Sequence, residues 1–324
     1  MKILYGYRNL KVKLRDPIVA IGIFDGIHIG HKRVIKKILN LREPARDKVV
    51  VTFDPHPRTV LQPGKASPRI MSLEHRLHIF RKMGLDAAVV IQFTDFIAGM
   101  TPEEFTERVL KGIGATKVYV GSNFHFGRGK SGNVETFKRT GKHCGIDIRT
   151  VKAVRKRGRV VSSTWLRRLI SAGDIEKAEK LLRRPVSVLG TVVGGDRRGK
   201  TFGIPTANID PHQEVIPPPG VYAVKVDVDG QLFDGVLNIG FRPTFYGRKL
   251  KRREEPQIEV HIIGFERDLY GQSVEIFFIK KLRREKRFRS AEALRQQINK
   301  DAGRAKKVLA GKSAIYKIRK YKYI

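Results

Sequence analysis

The sequence predicts an α/β domain with a covered parallel sheet, then a small antiparallel β-barrel and a closing helix. Three observations carry this. In the first half, short runs rich in Val and Ile alternate with amphipathic segments of helix length, the pattern of parallel strands joined by helical crossovers. Beyond Pro185, strand-length segments follow one another through connections too short for a crossover helix, so neighbours must pair antiparallel. A last amphipathic stretch of helix length begins at Ser290.

Taken in order, the expected strands of the first half are PIVAIGIF (17–24), KVVVTF (48–53), AAVVIQF (87–93) and KVYVGS (117–122). Between them lie the helical segments HKRVIKKILNL (31–41), SLEHRLHIFRKMG (72–84) and TPEEFTERVLKGIG (101–114). The last has a clear start: Thr101 as N-cap, Pro102 in the first turn and Glu104 completing a capping box. The helical segment SAGDIEKAEKLLRR stops at Pro185, which marks a domain boundary. GVYAVKVDVDG, QLFDGVLNIG, PQIEVHIIGF and QSVEIFFIKKL then read as strands, broken by Gly, Pro and Asp. The organisation expected is a domain over 1–184, a second over 185–311 and a basic tail over 312–324.

Composition narrows the class. A chain of 324 residues with 41% hydrophobic residues can build two cores. The single cysteine, Cys144, excludes a disulfide framework and any cysteine-based zinc site. The N-terminal run MKILYGYRNLKVKLRD lacks the continuous apolar core of a signal peptide, and no window reaches the ~20 apolar residues of a membrane span. These features point to a soluble cytoplasmic protein without a membrane partner. Lys and Arg number 66 against 31 acidic residues, for a net +35. Residues 1–184 hold 38 basic and 16 acidic side chains, 185–279 hold 11 and 12, and 280–324 hold 17 and 3. Such an excess attracts polyanions. The basic residues are dispersed, with little aromatic interleaving, so the expectation is steering of small anionic substrates and at most non-specific contact with nucleic acid. The competing reading is a nucleic-acid-binding protein built on a degenerate enzyme fold.

The motifs favour chemistry. GIFDGIHIGH, Gly22 to His31, lies where the first long strand gives way to a helix. A helix N-terminus attracts anions, because its first N–H groups lack intrahelical partners. Residues 28–31 spell HIGH, the signature of nucleotidyltransferases and class I aminoacyl-tRNA synthetases. Imidazole donors at a helix start can stabilise charge that builds up as an α-phosphorus is attacked, and Gly26 and Gly30 allow close approach of ATP to the backbone. The KMSKS-like loop of a synthetase is missing. Instead VSSTWLRRLI (161–170) begins a helix with Ser162, Ser163 and Thr164, and Arg167 follows a turn later with a guanidinium suited to phosphate. TFDPHP (52–57) and VGSNFHFG (120–127) also fall at strand carboxyl ends, where ligands bind in parallel sheets. GRGKSG (127–132) and the GKT of 199–201 are not P-loops: the first has Phe124 where glycine is needed, and the second leads into PTAN rather than a helix.

Together, GIFDGIHIGH, TFDPHP, VGSNFHFG and SSTWLR resemble the FMN adenylyltransferase module of the bacterial bifunctional riboflavin kinase/FAD synthetases. GKTFGIPTANID, GVYAV, GVLNIGFRPTF and EVHIIGFERDLYG resemble the riboflavin kinase module of the same family. The resemblance implies a Rossmann-like nucleotidyltransferase domain followed by a six-stranded antiparallel barrel. It implies two reactions: phosphorylation of riboflavin to FMN by ATP, and adenylylation of FMN to FAD with release of pyrophosphate. By resemblance, His28, His31 and Arg167 hold ATP phosphates with Ser163 and Thr164 assisting, and Gly22, Phe24, Gly26 and Gly30 line the nucleotide. His56 and Asn123 then lie on the flavin or transition-state side. His125 stands where family members often have arginine and receives no role. An enzyme keeping one of the two activities remains the second alternative.

The residues of the second half fit that expectation. In GIPTAN, Thr206 and Asn208 present two neutral oxygens with one residue between them, suitable ligands for the Mg²⁺ that accompanies ATP. The preceding GGDRRGKTFG supplies glycines with Arg198 and Lys200 to cradle phosphate. Glu259 alternates with Ile258 and Val260 and points away from them; a carboxylate in a barrel mouth can take the proton of a primary hydroxyl during phosphoryl transfer. ATP, riboflavin and FMN are the expected small-molecule partners, and the sequence leaves the oligomeric state open.

Overall fold

The computed structural model describes residues 1–65, 67–194, 205–241, 256–286 and 288–311. By packing they fall into two units: Met1–Pro68 with Leu73–Trp165, and Arg69–Ser72 with the described residues from Leu166 onward.

The first unit is a parallel sheet of six strands: β1 (Lys2–Tyr5), β2 (Ile18–Ile21), β3 (Lys48–Asp54), β4 (Ala87–Gln92), β5 (Lys117–Gly121) and β6 (Asp147–Val151). Their order is β1-β4-β3-β2-β5-β6. β2 lies between β3 and β5, pairing Val19 with Val49 on one side and Val118 on the other. The strand order reverses there, so the carboxyl ends of β3, β2 and β5 form the crevice in which such sheets bind ligands. Ile18, Val19, Ala20, Val49, Val50, Val51 and Val118 are fully buried, and each large side chain so buried stabilises the fold by about 1.5–3 kcal/mol before entropy is charged.

Helices α1 (Ile29–Leu39), α2 (Pro57–Leu61), α3 (Leu73–Lys82), α4 (Asp95–Gly99), α5 (Pro102–Glu104) and α6 (Val134–His143) connect these strands. α1 buries Val34, Ile35 and Ile38 and carries Lys36 and Lys37 in its last turn, where cations suit the carbonyl end of the dipole. The expected capping box at Thr101 and Glu104 is present. The helix it starts departs from expectation, because after α5 the backbone widens into a π-helical stretch, Phe105–Lys111. Thr106 Oγ1 donates to Pro102 O at 2.8 Å and meets Thr140 Oγ1 of α6 at 3.0 Å, which competes with regular winding. β1, β6 and α6 were not among the expected elements. A hairpin of β7 (Arg155–Lys156) and β8 (Arg159–Val160) leads into α7 (Ser163–Ser171), and α8 (Ile175–Leu182) follows.

The second unit centres on a closed barrel of six antiparallel strands: β9 (Val186–Val193), β10 (Ala207–Pro211), β11 (Gly220–Val228), β12 (Gln231–Phe241), β13 (Pro256–Ile262) and β14 (Ser273–Arg283). Their order is β10-β13-β12-β11-β14-β9, and β9 pairs back onto β10. Leu237, Ile239, Ile258 and Val260 are almost wholly buried, pairing Leu237 with Val260 and Ile239 with Ile258. α9 (Ala291–Leu309), which begins at Ser290 as expected and is capped by it, packs on β11, β12 and β14. Its Ala305 and Leu309 cover Val221, Ala223 and Val236. α8 packs on β9 and β14 and so joins the barrel's unit, although it precedes Pro185.

Candidate active sites

The site of the first unit is built by the turn from β2 to α1. Phe24 and Ile27 hold φ of 56° and 41°, and Gly26 lies at 84°. Non-glycine residues in this region are strained and persist where their surroundings fix them. Phe24 is fixed by burial and by edge-on contacts with Phe80 of α3 and His31, at 5.6 and 5.4 Å between centroids. His28 is the N-cap of α1 rather than a residue of its first turn. Its Nδ1 accepts from the backbone N–H of Gly30 at 3.1 Å and of His31 at 3.3 Å. With Nδ1 an acceptor, the proton of a neutral ring sits on Nε2, and the cap sets the tautomer. A Cβ on Gly30 would come within 3.0 Å of the His28 ring, so the glycine makes room for this imidazole.

Both histidines are held neutral. Burial pulls the pKa of His28 down to about 4, against a smaller opposing backbone hydrogen bond. His31 is lowered well below the usual range, first by burial and then by His28 and Arg76. Its Nδ1 is enclosed without a hydrogen-bond partner. The two rings stack at 3.7 Å. Neutral, oriented N–H donors of this kind suit developing phosphate charge.

Ser163 Oγ donates to Asp25 O at 2.8 Å, fastening the start of α7 to the histidine turn. Ser162 Oγ accepts from Trp165 N at 3.3 Å as a helix cap. Thr164 is exposed; Arg167, half-buried one turn along α7, falls in the second unit. His56 caps α2, its Nδ1 accepting from Arg58 N at 3.1 Å. Asn123 is exposed just after β5, and a Cβ on Gly121 would meet its Oδ1 at 3.2 Å. Gly22 leads from β2, donating to Val51 O at 3.1 Å, and a Cβ there would touch the Phe24 ring. His28, His56 and Asn123 thus follow the ends of three adjacent strands.

In the barrel, strand register assembles a second site. Glu259 lies directly opposite Asn208 on β10 and Asn238 on β12. Directly paired side chains on one face stand about 5 Å apart at Cβ. The expected position in a barrel mouth needs correction. Ile258, Val260 and Ile262 are buried while Glu259 is half-buried, so it faces away from the apolar interior, on the side where Val236 lies under α9. The interior of a six-stranded barrel is filled by apolar side chains, which leaves the outer face for polar chemistry. Thr206 precedes Asn208 by two residues, and His261 Nδ1 lies 2.8 Å from Pro205 O, tying this segment to β13. Asn238 was not singled out in the sequence, because only pairing reveals it. Arg198 and Lys200 lie outside the described residues.

A histidine-capped helix at the switch point of a parallel sheet, in a chain that also carries a barrel with an Asn–Glu–Asn row, fits a two-site, nucleotide-using transferase. The comparisons make this particular. Residues 10–165 match the family model described as FAD synthetase, and residues 182–309 the one described as riboflavin kinase. The bifunctional riboflavin kinase/FMN adenylyltransferase of Bacillus subtilis is 33% identical over 304 residues, 92% of this chain and 94% of its own length. That of Pseudomonas fluorescens is 35% identical over 315 residues, 96% and 98% of the two chains. A crystal structure described as a macrolide-efflux protein from Streptococcus pneumoniae matches with a TM-score of 0.79 at 27% identity, covering 94% of this chain and 99% of that one. The chain belongs to the bifunctional riboflavin kinase/FMN adenylyltransferase family. It is an enzyme that converts riboflavin to FMN and FMN to FAD. Among the described residues no helix is long and apolar enough to cross a membrane.

Proposed function

We propose that residues 1–184 carry out FMN adenylylation and residues 185–311 riboflavin phosphorylation, with 312–324 a basic tail outside both. The observation that carries the first half is the cap of α1: two backbone donors on Nδ1 of His28 leave Nε2–H as a fixed donor. In the transfer, an FMN phosphate oxygen attacks the α-phosphorus of ATP, the bond to the bridging oxygen breaks, and pyrophosphate departs. His28 and His31 stabilise the charge on the phosphoryl oxygens and leaving group. Arg167, Ser163 and Thr164 hold phosphates, while Gly22, Phe24, Gly26 and Gly30 shape the nucleotide's approach. His56 and Asn123 face the flavin side.

In the second half, the terminal ribityl hydroxyl of riboflavin attacks the γ-phosphorus of ATP, ADP leaves, and the hydroxyl proton passes to Glu259. The row Asn208–Glu259–Asn238 supports this, since it sets the carboxylate beside neutral amides on one half-exposed face. The same face fits Mg²⁺: Thr206 and Asn208 offer neutral oxygens, and no cluster of three or more His, Cys, Asp or Glu stands among the described residues, as suits an ion completing its shell with phosphate and water. Thr206 Oγ1 and Asn208 Oδ1 would hold it, and when bound it neutralises phosphate charge. Arg198 and Lys200 are assigned to phosphate on the sequence alone.

A net charge of +35 serves in this reading to draw anionic substrates, and contact with nucleic acid is non-specific. In this reading the enzyme acts in the cytoplasm, which the single cysteine and the use of ATP support. The test is a split assay on the full chain with Mg²⁺: FMN from riboflavin, and FAD from supplied FMN, resolved by chromatography. His28→Ala is expected to stop only the second reaction and Glu259→Gln only the first. Loss of both in either variant overturns the division.

A further inference from the structure

Arg76 of α3 is buried, with 4% of its surface exposed, among the ends of two strands. Its Nη1 donates to Ile23 O and Thr52 Oγ1, both at 2.8 Å, and to Phe53 O at 3.2 Å. Its Nη2 donates to Phe53 O at 3.3 Å and pairs with Asp54 Oδ1 at 3.1 Å. Ile23 lies in the turn that carries His28; Thr52, Phe53 and Asp54 close β3 and lead directly to His56. Thr52 Oγ1 donates to the same Ile23 oxygen at 3.1 Å. One guanidinium thus gathers the backbone of both turns.

A buried cation is costly unless its donors are satisfied, and here Nη1 and Nη2 reach two carbonyls, a hydroxyl and a carboxylate. We propose that Arg76 is a positioning residue for adenylyl transfer, locking the histidine turn to the Asp54–His56 turn so that both present their groups to one reacting phosphate. A planar fork suits this task, because donors at fixed angles reach several acceptors at once. Phe24 adds a second link between the same elements, touching Phe80 of α3 and His31. The charge of Arg76 also disfavours protonation of His31, which keeps that imidazole in its neutral form. The proposal rests on reading the histidine pair as the adenylylation site.

The experiment compares Arg76→Gln, Arg76→Lys and His28→Ala in the full chain. It measures kcat and KM for FAD formation, the number of ATP sites per chain by calorimetry, and FMN formation from riboflavin. Misplacing reacting groups by about 1 Å costs up to about 100-fold in rate. Arg76→Gln is therefore expected to lower kcat for FAD by about 10–100-fold with KM for ATP changed less than about threefold. Arg76→Lys is expected to recover part of the rate, and riboflavin phosphorylation to persist in both. Parental kcat in Arg76→Gln overturns the proposal, as does a fall in kcat matched by an equal loss of ATP sites. If Arg76→Gln does not fold, Arg76→Lys decides: a reduced kcat with all ATP sites present supports positioning, and a parental kcat overturns it. Parental FAD formation in His28→Ala overturns the site reading itself, while loss there with retention in Arg76→Gln sinks only the role of Arg76.

Discussion

The imidazole rings of His28 and His31 lie face to face, 3.7 Å between centroids and 19° between planes. Two protonated rings could not share this position without strong repulsion. The stack therefore excludes a doubly charged pair, and burial disfavours protonation of either ring, which suits a role as hydrogen-bond donors rather than as cations.

Capping and catalysis can be separated at His28. His28→Ala removes both the acceptor for two N–H groups and the Nε2 donor, so it should cost about 1 kcal/mol of stability and about 10²–10³-fold in FAD formation. His28→Asn keeps a cap acceptor, but its shorter amide places the remaining N–H donor short of the position of Nε2. Its melting temperature should stay near parental while its FAD rate falls as far as that of the alanine variant. A parental FAD rate in His28→Asn would falsify the donor role.

Acid should loosen the first unit in a defined window. The folded pKa of His28 is about 4 against an ordinary 6.5, so between those values the unfolded chain binds a proton that the folded chain does not. Stability then rises with pH from about 4 to 6.5 and is lost as pH falls through the same range. A shift of this size corresponds to about 3 kcal/mol, and His31 acts in the same direction. Urea unfolding followed by fluorescence of Trp165, the single tryptophan, should show a flatter pH slope in His28→Asn. An equal slope in both proteins would rule out His28 as its source.

Gly30→Ala tests the room left for the ring. The added Cβ would lie 3.0 Å from Cε1 and 3.1 Å from Nδ1 of His28, closer than ordinary van der Waals contact. Alanine favours helix, so the helix itself should tolerate the change. The imidazole must turn aside, and FAD formation should drop by about tenfold or more with little change in melting temperature. Undiminished FAD synthesis would mean that the ring is not held where the reaction needs it.

At the barrel, Glu259→Gln preserves shape and removes the proton acceptor. FMN formation should fall by about 10²–10⁴-fold, and added Mg²⁺ should not restore it. Thr206→Ala and Asn208→Ala should instead shift the Mg²⁺ dependence to higher concentration and recover in part at excess metal. Chelation with EDTA should stop phosphorylation until Mg²⁺ returns. Rescue of Glu259→Gln by metal alone would move the glutamate from proton acceptor to metal ligand.

The sequence was most legible where burial was complete. β2 and β4 are apolar along most or all of their length because the sheet is covered on both faces, and they announce themselves as runs. β1 and β6, at the two edges, mix exposed and partly buried residues with few buried ones, so their charges hide them. His28 could be found by its place between a strand and a helix, a local relation. Arg76 could not, because a basic residue in an amphipathic helix reads as a solvent face until the strand ends closing on it are known. Asn238 and its partner Glu259 meet through register, which belongs to the pairing of strands and is written in neither one alone.

Closure of the barrel also has a consequence for how the chain is made. β9, its first strand, pairs with β14, its last, so Val186–Val193 wait for Ser273–Arg283 to leave the ribosome. Every strand of the parallel sheet has emerged by Val151. Domains fold N-terminal first during synthesis, and pairings distant in sequence form slowly. On the proposed division of the two reactions, the nascent chain completes its FAD-forming half before its FMN-forming half, reversing the order in which the finished enzyme uses them. The segment Arg69–Ser72, which packs with the later unit, is the exception: made early, it is seated last.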